Sequence, residues 1–208
     1  MEYFLSFGLV MGLTAGLSPG PLLTLVIAQS LQHGIRAGIK VAIAPVISDA
    51  PIILLMLLLV GQLSGLNSVV GLLSLVGSGY VFYLAYDTAR LKQPTKQHSE
   101  EQLKSITKGV LTNLLSPHPY LFWLTVGAPT VIQSAAVNTL APLLFIIGFY
   151  LPLVGSKVLM AILLGKYRTL LDGKTYQVVM RVLALLLAVF AASLFVDGLK
   201  LLGGLEAA

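Results

Sequence analysis

The sequence predicts an all-α integral membrane protein, with six transmembrane helices in two inverted three-helix repeats and helices 1 and 4 broken at Ser-Pro-x-Pro. Three observations predict it. Of 208 residues, 57% are hydrophobic and 10% charged, with a mean hydropathy of +0.92, whereas a soluble domain carries ~25% charged residues. Six apolar stretches, near 4–29, 41–62, 67–88, 109–132, 140–164 and 179–202, meet the ~20 residues that a span requires. Finally, Ser18-Pro19-Gly20-Pro21 returns 98 residues later as Ser116-Pro117-His118-Pro119, again inside an apolar run. The expected organisation is a first repeat over 1–90, a connector over 91–108 and a second repeat over 109–208.

Charge sets the expected orientation. Eleven basic residues fall in the three loops that follow helices 1, 3 and 5, among them Arg36, Lys40, Arg90, Lys108, Lys166 and Arg181. The opposite side has only Lys200. By the positive-inside rule the three basic loops face the cytoplasm and both termini face outward. The net charge of +5 is thereby explained at the membrane surface, and no nucleic-acid partner is expected. The start, Met1-Glu2-Tyr3, lacks the basic n-region and cleavage site of a signal peptide and reads as a retained helix. The chain has no cysteine, which excludes disulfides, thiol catalysis and Cys-based metal sites.

In the first span, Gly8, Gly12, Gly16 and Gly20 recur at every fourth position and form a smooth stripe for close helix packing. It would serve a homodimer as well as packing within the chain. Gly20, between two prolines, has a separate use: it would let a ligand approach bare backbone. Proline removes a backbone donor, so the Pro19-Gly20-Pro21 break frees carbonyls, and the Thr14 and Ser18 hydroxyls are placed to serve them. In a bilayer such a break is tolerated only where protein or a wet cavity satisfies the backbone again.

Helix 2 carries Asp49 in Ser48-Asp49-Ala50-Pro51, ~13 Å in from Lys40 at the helical rise of ~1.5 Å per residue. An intramembrane Asp costs ~2.5–3.5 kcal/mol on insertion scales and marks an ion or proton pathway, or else a structural salt bridge or interhelical hydrogen bond. Helix 3 brings Tyr80, Tyr83 and Tyr86, which read as an interfacial belt, and Asp87 with Arg90, which read as a boundary ion pair. Helix 4 opens at Ser116-Pro117. His118 there is either a neutral imidazole bonding a freed carbonyl, or a proton carrier or carboxylate ligand. Asn113 can donate and accept beside it, and Trp123 is expected on a cavity wall. Helix 5 carries Lys157, ~13 Å from Lys166 and so at the depth of Asp49. The two suggest a pair; snorkelling of Lys157 toward the interface is the alternative.

Aligned, the halves coincide three times: Ser-Pro-x-Pro at 18 and 116, Ser48-Asp49 with Ser156-Lys157, and Asp87-x-x-Arg90 with Asp197-x-x-Lys200. Three helices is an odd number, so the copies insert in opposite senses. Broken helices at corresponding places in inverted halves point to a transporter's binding site near the midplane, where helix N-termini meet an anionic group.

With Pro19-Gly20-Pro21 in the first helix, Gly34 and Gly38 leading into the second, Asp49 within it, and Asn113 followed by Pro117 in the fourth, the chain resembles the LysE/RhtB superfamily of amino-acid exporters along essentially its whole length. It departs in helix 4, where Ser116-Pro117-His118 stands for the Asn-Pro-Lys of typical members. The resemblance implies export of an amino acid or derivative across the cytoplasmic (inner) membrane of a prokaryote, driven by a proton or sodium gradient.

The expected substrate-binding residues are Ser18, Pro19, Gly20, Pro21, Asn113, Ser116, Pro117 and His118. Asp49 and Lys157 are the expected ion-coupling residues. The expected partners are a small zwitterion, H+ or Na+ and the bilayer, with a homodimer as a further use of the stripe. No cofactor is expected. A metal-cation cargo is the alternative, although one Asp and one His are few ligands; a non-transporting scaffold is another. Enzyme motifs such as HExxH and GxSxG are missing, so no catalysis is expected.

Overall fold

Proline and glycine decide where the helices of this chain stop. The computed structural model describes residues 2–59, 66–90, 99–167 and 173–203. Lys92, Pro94, Lys96 and Arg168 lie outside the described residues, as does the first part of the expected connector. Among the described residues every regular element is helical.

The first expected span is two helices, α1 (Glu2–Leu17) and α2 (Pro21–His33), bent by 61°. The Ser18 N–H still reaches the Thr14 carbonyl at 3.0 Å. The next helical donor would be Pro19, which has no N–H, so the ladder ends there. Gly20 is extended and Pro21 opens α2, a position where its missing donor costs nothing. Gly34, with φ 90°, turns the chain directly into α3 (Ile35–Leu59). That left-handed backbone favours glycine.

α4 (Leu66–Ala89) follows. The fourth expected span is more divided than the sequence suggests. It comprises α5 (Ser99–Leu114), α6 (Pro117–Phe122), a π-helical turn (Trp123–Gly127) and α7 (Ala128–Val137). The polar composition of residues 99–108 reads as connector, yet they are helical. Leu103, Ile106 and Val110 recur there at helical spacing and make the segment amphipathic. α8 (Ala141–Tyr167) and α9 (Gly173–Leu201) complete the described chain.

α3, the Pro117–Val137 run, α8 and α9 are each long and apolar enough to cross a membrane, and the bent α1–α2 pair makes a fifth span. α4 has 24 residues, with Ser74, Ser78, three tyrosines and Asp87 along it. Large apolar side chains such as Leu54, Leu58, Phe82, Leu151 and Leu185 cover the outside, as lipid rather than water requires. The protein is an all-α multi-pass membrane protein.

α1 lies along α8, α5 along α3, and α4 along α9. The α1–α8 contact uses the glycine stripe. A Cβ at Gly8 would stand 2.5 Å from the Phe145 carbonyl, and one at Gly12 would overlap that of Phe149. Gly148 returns the fit, since a Cβ there would stand 2.7 Å from the Leu5 carbonyl. The stripe is thus occupied within the chain. Gly20 stands at its end and faces open space, where an added Cβ would meet nothing within 4 Å.

Candidate functional site

The two breaks open onto one cavity of about 290 Å³, at the lower end of ligand-pocket volumes (~300–1,000 Å³). Ser18, Pro19, Gly20 and Pro21 line it from the first break; Asn113, Ser116 and His118 line it from the second. Asp49 and Lys157 complete its polar wall, and Phe122, Trp123, Phe149 and Leu153 form an apolar one. Of the expected substrate-binding and ion-coupling residues, Pro117 alone is not in the lining. It is buried at the start of α6.

Asp49 is 4% exposed, and a buried carboxylate requires donors. Asn113 Nδ2 donates to its Oδ1 at 2.5 Å, and the Tyr150 hydroxyl to its Oδ2 at 2.9 Å. Asn113 Nδ2 also reaches the Ser48 hydroxyl at 2.8 Å, whose own proton goes to the Ala44 carbonyl at 2.9 Å. α3 and α5 are thereby joined through polar groups at the edge of the second break.

Lys157 is 3% exposed, so it is buried rather than snorkelled. Its Nζ donates to the carbonyls of Ala15 at 3.2 Å and Gly16 at 3.1 Å. Those are the carbonyls that Pro19 and the extended Gly20 leave without helical donors. A cation at the C-terminus of α1 also complements its dipole. Asp49 and Lys157 share the cavity wall, but each is held by groups other than the other, and no direct ion pair joins them.

The positions match. Asn113 stands three residues before Ser116, and Ala15 three before Ser18. Asp49 on α3 is therefore held just before the second break, by a side-chain amide, and Lys157 on α8 just before the first, by backbone carbonyls.

The second break satisfies its backbone without His118. The Leu114 carbonyl accepts from the Tyr120 hydroxyl at 2.8 Å, and that of Asn113 from the Ser116 N–H at 3.2 Å. His118 is exposed on the cavity wall. The Thr14 hydroxyl bonds Val10 within its own helix at 2.8 Å rather than a freed carbonyl.

Trp123 is fully buried and stands edge-on to Phe149 at 5.7 Å. Phe149 stacks on Phe122 at 4.6 Å. The π-helical turn sets this wall, and a Cβ at Gly127 would overlap the Trp123 ring. Tyr150 is the residue that sequence reasoning missed. It lies seven residues, two helical turns, before Lys157, and that shared face was the available signal.

Farther along α5, Asp87 accepts from Lys108 Nζ at 2.6 Å. Arg90, its expected partner, lies over the Tyr86 ring at 4.5 Å and donates to the Tyr86 hydroxyl. Among the described residues no three of His, Asp and Glu gather as a metal site would require.

A family model described as LysE type translocator matches residues 13–198. That range takes in both breaks, Asp49, Lys157 and every other residue of the cavity. No curated protein and no solved structure matches the chain.

Proposed function

The chain belongs to the LysE type translocator family, and from that membership and its cavity we propose that it is a secondary active exporter of an amino acid or amino-acid derivative. As a member of a translocator family it is a membrane transporter with a small-molecule substrate. The proposal adds the cargo, the direction out across the cytoplasmic (inner) membrane of a prokaryote, and coupling to a proton or sodium gradient. The observation that carries it is the convergence of both helix breaks and both buried charges on one cavity.

In this reading the cavity meets a zwitterion with matched chemistry. The N-terminal ends of α2 and α6 offer backbone donors to a carboxylate. Asp49 takes the ammonium or the coupling ion, and Lys157 and His118 adjust the charge around it. The halves act as inverted repeats. Support comes from the exchange of partners, α1 with α8 and α5 with α3, and from the equivalent grip of Lys157 on Ala15 and Asp49 on Asn113.

A thermal-shift screen of the twenty L-amino acids and their decarboxylated amines, in detergent and at several pH values, tests the cargo. A ligand bound only by the folded state raises apparent stability. Gradient-driven flux in proteoliposomes then tests the coupling, with Asp49→Asn as the variant. It is expected to insert and fold but lose coupled transport, and wild-type flux through it would refute the role given to Asp49.

A further inference from the structure

A second cavity, of about 270 Å³, lies between α2, α4 and α5 and is lined by Gln29, Gln32, Tyr83, Asp87, Lys104 and Lys108. Nothing in the proposed transport cycle yet uses it. Its wall is polar where the first cavity's is largely apolar. Gln29 is 2% and Gln32 7% exposed, yet Gln29 accepts a hydrogen bond from Ser105 at 2.8 Å through its amide oxygen alone. Among the described residues its amide nitrogen, and the whole amide of Gln32, carry no protein partner. Those amide groups line the cavity, where water or a ligand can meet them.

The two cavities share helix faces. On α5, Lys104 and Lys108 line the second cavity, and Thr112 the first. The three follow at i, i+4 and i+8, so Lys108 and Thr112 are one turn, about 6 Å, apart along the helix. On α2, Pro21 lines the first cavity and Gln29 and Gln32 the second. Between them stands Leu25, buried in a cluster that Tyr80 packs against. Leu25 on α2, and the turn from Lys108 to Thr112 on α5, thus lie between the two linings.

We infer that the second cavity is the cytoplasmic antechamber of the first, a binding site in which the carboxylate of a zwitterion is captured by Lys104 and the glutamine amides before it passes Leu25. This rests on the exporter reading above. Lys104 is exposed at the mouth, where a cation draws in carboxylates. The Gln29 and Gln32 amides offer both donors and acceptors, which suits a substrate carrying both charges.

The chain's lack of cysteine allows a direct test. Tyr83→Cys would report on the cavity from a lining position given no binding role. In inside-out vesicles a membrane-impermeant maleimide is expected to label it, and in right-side-out vesicles not. A mixture of the L-amino acids other than cysteine should slow the labelling several-fold, and their decarboxylated amines should not. Lys104→Glu and Gln32→Leu are expected to remove that protection and to raise the apparent KM for export without lowering the maximal rate. Labelling from the outer face or from neither, protection by amines alone, or an unchanged KM in both variants would each overturn the antechamber. Cytoplasmic labelling with no amino-acid flux by the wild-type protein would instead defeat the exporter reading.

Discussion

Lys157 donates to the carbonyl of Ala15 at 3.2 Å, and Ala15 is the residue whose helical donor is removed by Pro19. The proline that breaks the helix and the lysine that caps it are thus one device. A buried acceptor left without a partner costs ~1–3 kcal/mol, so Lys157→Met should lower stability by about that much. Pro19→Ala gives the donor back, and in that background the lysine substitution should cost ~1 kcal/mol less. Unfolding of the four proteins of this double-mutant cycle in detergent checks it. Equal losses in both backgrounds would show that the carbonyl does not depend on the lysine.

Tyr150 and Asp49 form a second such pair, at 2.9 Å. A hydrogen bond to a charged group contributes ~1.5–3 kcal/mol and one to a neutral group ~1. Tyr150→Phe should therefore destabilise the wild-type chain more than it does the Asp49→Asn variant, where the partner is an amide. The difference between the two losses reports whether Asp49 is ionised in the folded protein. No difference would mean that it is already protonated, and proton coupling would then have to begin from the neutral acid.

The sequence shows these devices unevenly. Both breaks are visible because Pro19, Pro21, Pro117 and Pro119 interrupt apolar runs, and nothing in the neighbouring packing can restore a missing N–H. Asp49 and Lys157 are visible because a charge has few reasons to sit among Leu and Ile. What each charge binds is not visible. Their matching depth suggests a mutual pair, but broken backbone and an amide from the opposite half satisfy them, and those partners arise only when α1 meets α8 and α5 meets α3. Tyr150 was hidden among many membrane aromatics. The helical character of residues 99–108 was hidden by polar composition, because amphipathic spacing is a weaker signal than hydropathy in a chain this apolar.

The Tyr120 hydroxyl serves the Leu114 carbonyl at 2.8 Å, as Lys157 serves Ala15 at the first break. Tyr120→Phe removes a single oxygen and leaves the ring in place. The expected result is a loss of ~1–3 kcal/mol with the α5–α6 break retained, since Pro117 still lacks its donor. A cysteine at Ser116, in this otherwise cysteine-free chain, would report the break through its maleimide reactivity. Labelling that vanishes in the Tyr120→Phe background would mean that the helix had closed and that the tyrosine, not the proline, holds it open.

Gly12 and Gly20 belong to one stripe by spacing but differ in what surrounds them. A methyl at Gly12 would overlap the Phe149 carbonyl and approach the Pro152 ring to 2.8 Å. Backbone cannot move aside without parting α1 from α8, so Gly12→Ala should destabilise by ~1–3 kcal/mol, the usual cost of overpacking. A methyl at Gly20 meets nothing within 4 Å, and its extended φ of −174° is open to any residue. Gly20→Ala should therefore leave the melting temperature within a degree or two, since ~1 kcal/mol moves it by only ~2–4 °C in a chain of this size. The methyl instead narrows the cavity beside Pro19 and Pro21, so its effect is expected in substrate affinity. The two alanine variants should then separate cleanly, one losing stability and the other affinity. A Gly20→Ala protein that melts as early as Gly12→Ala would place Gly20 in the packing stripe and take it out of the binding site.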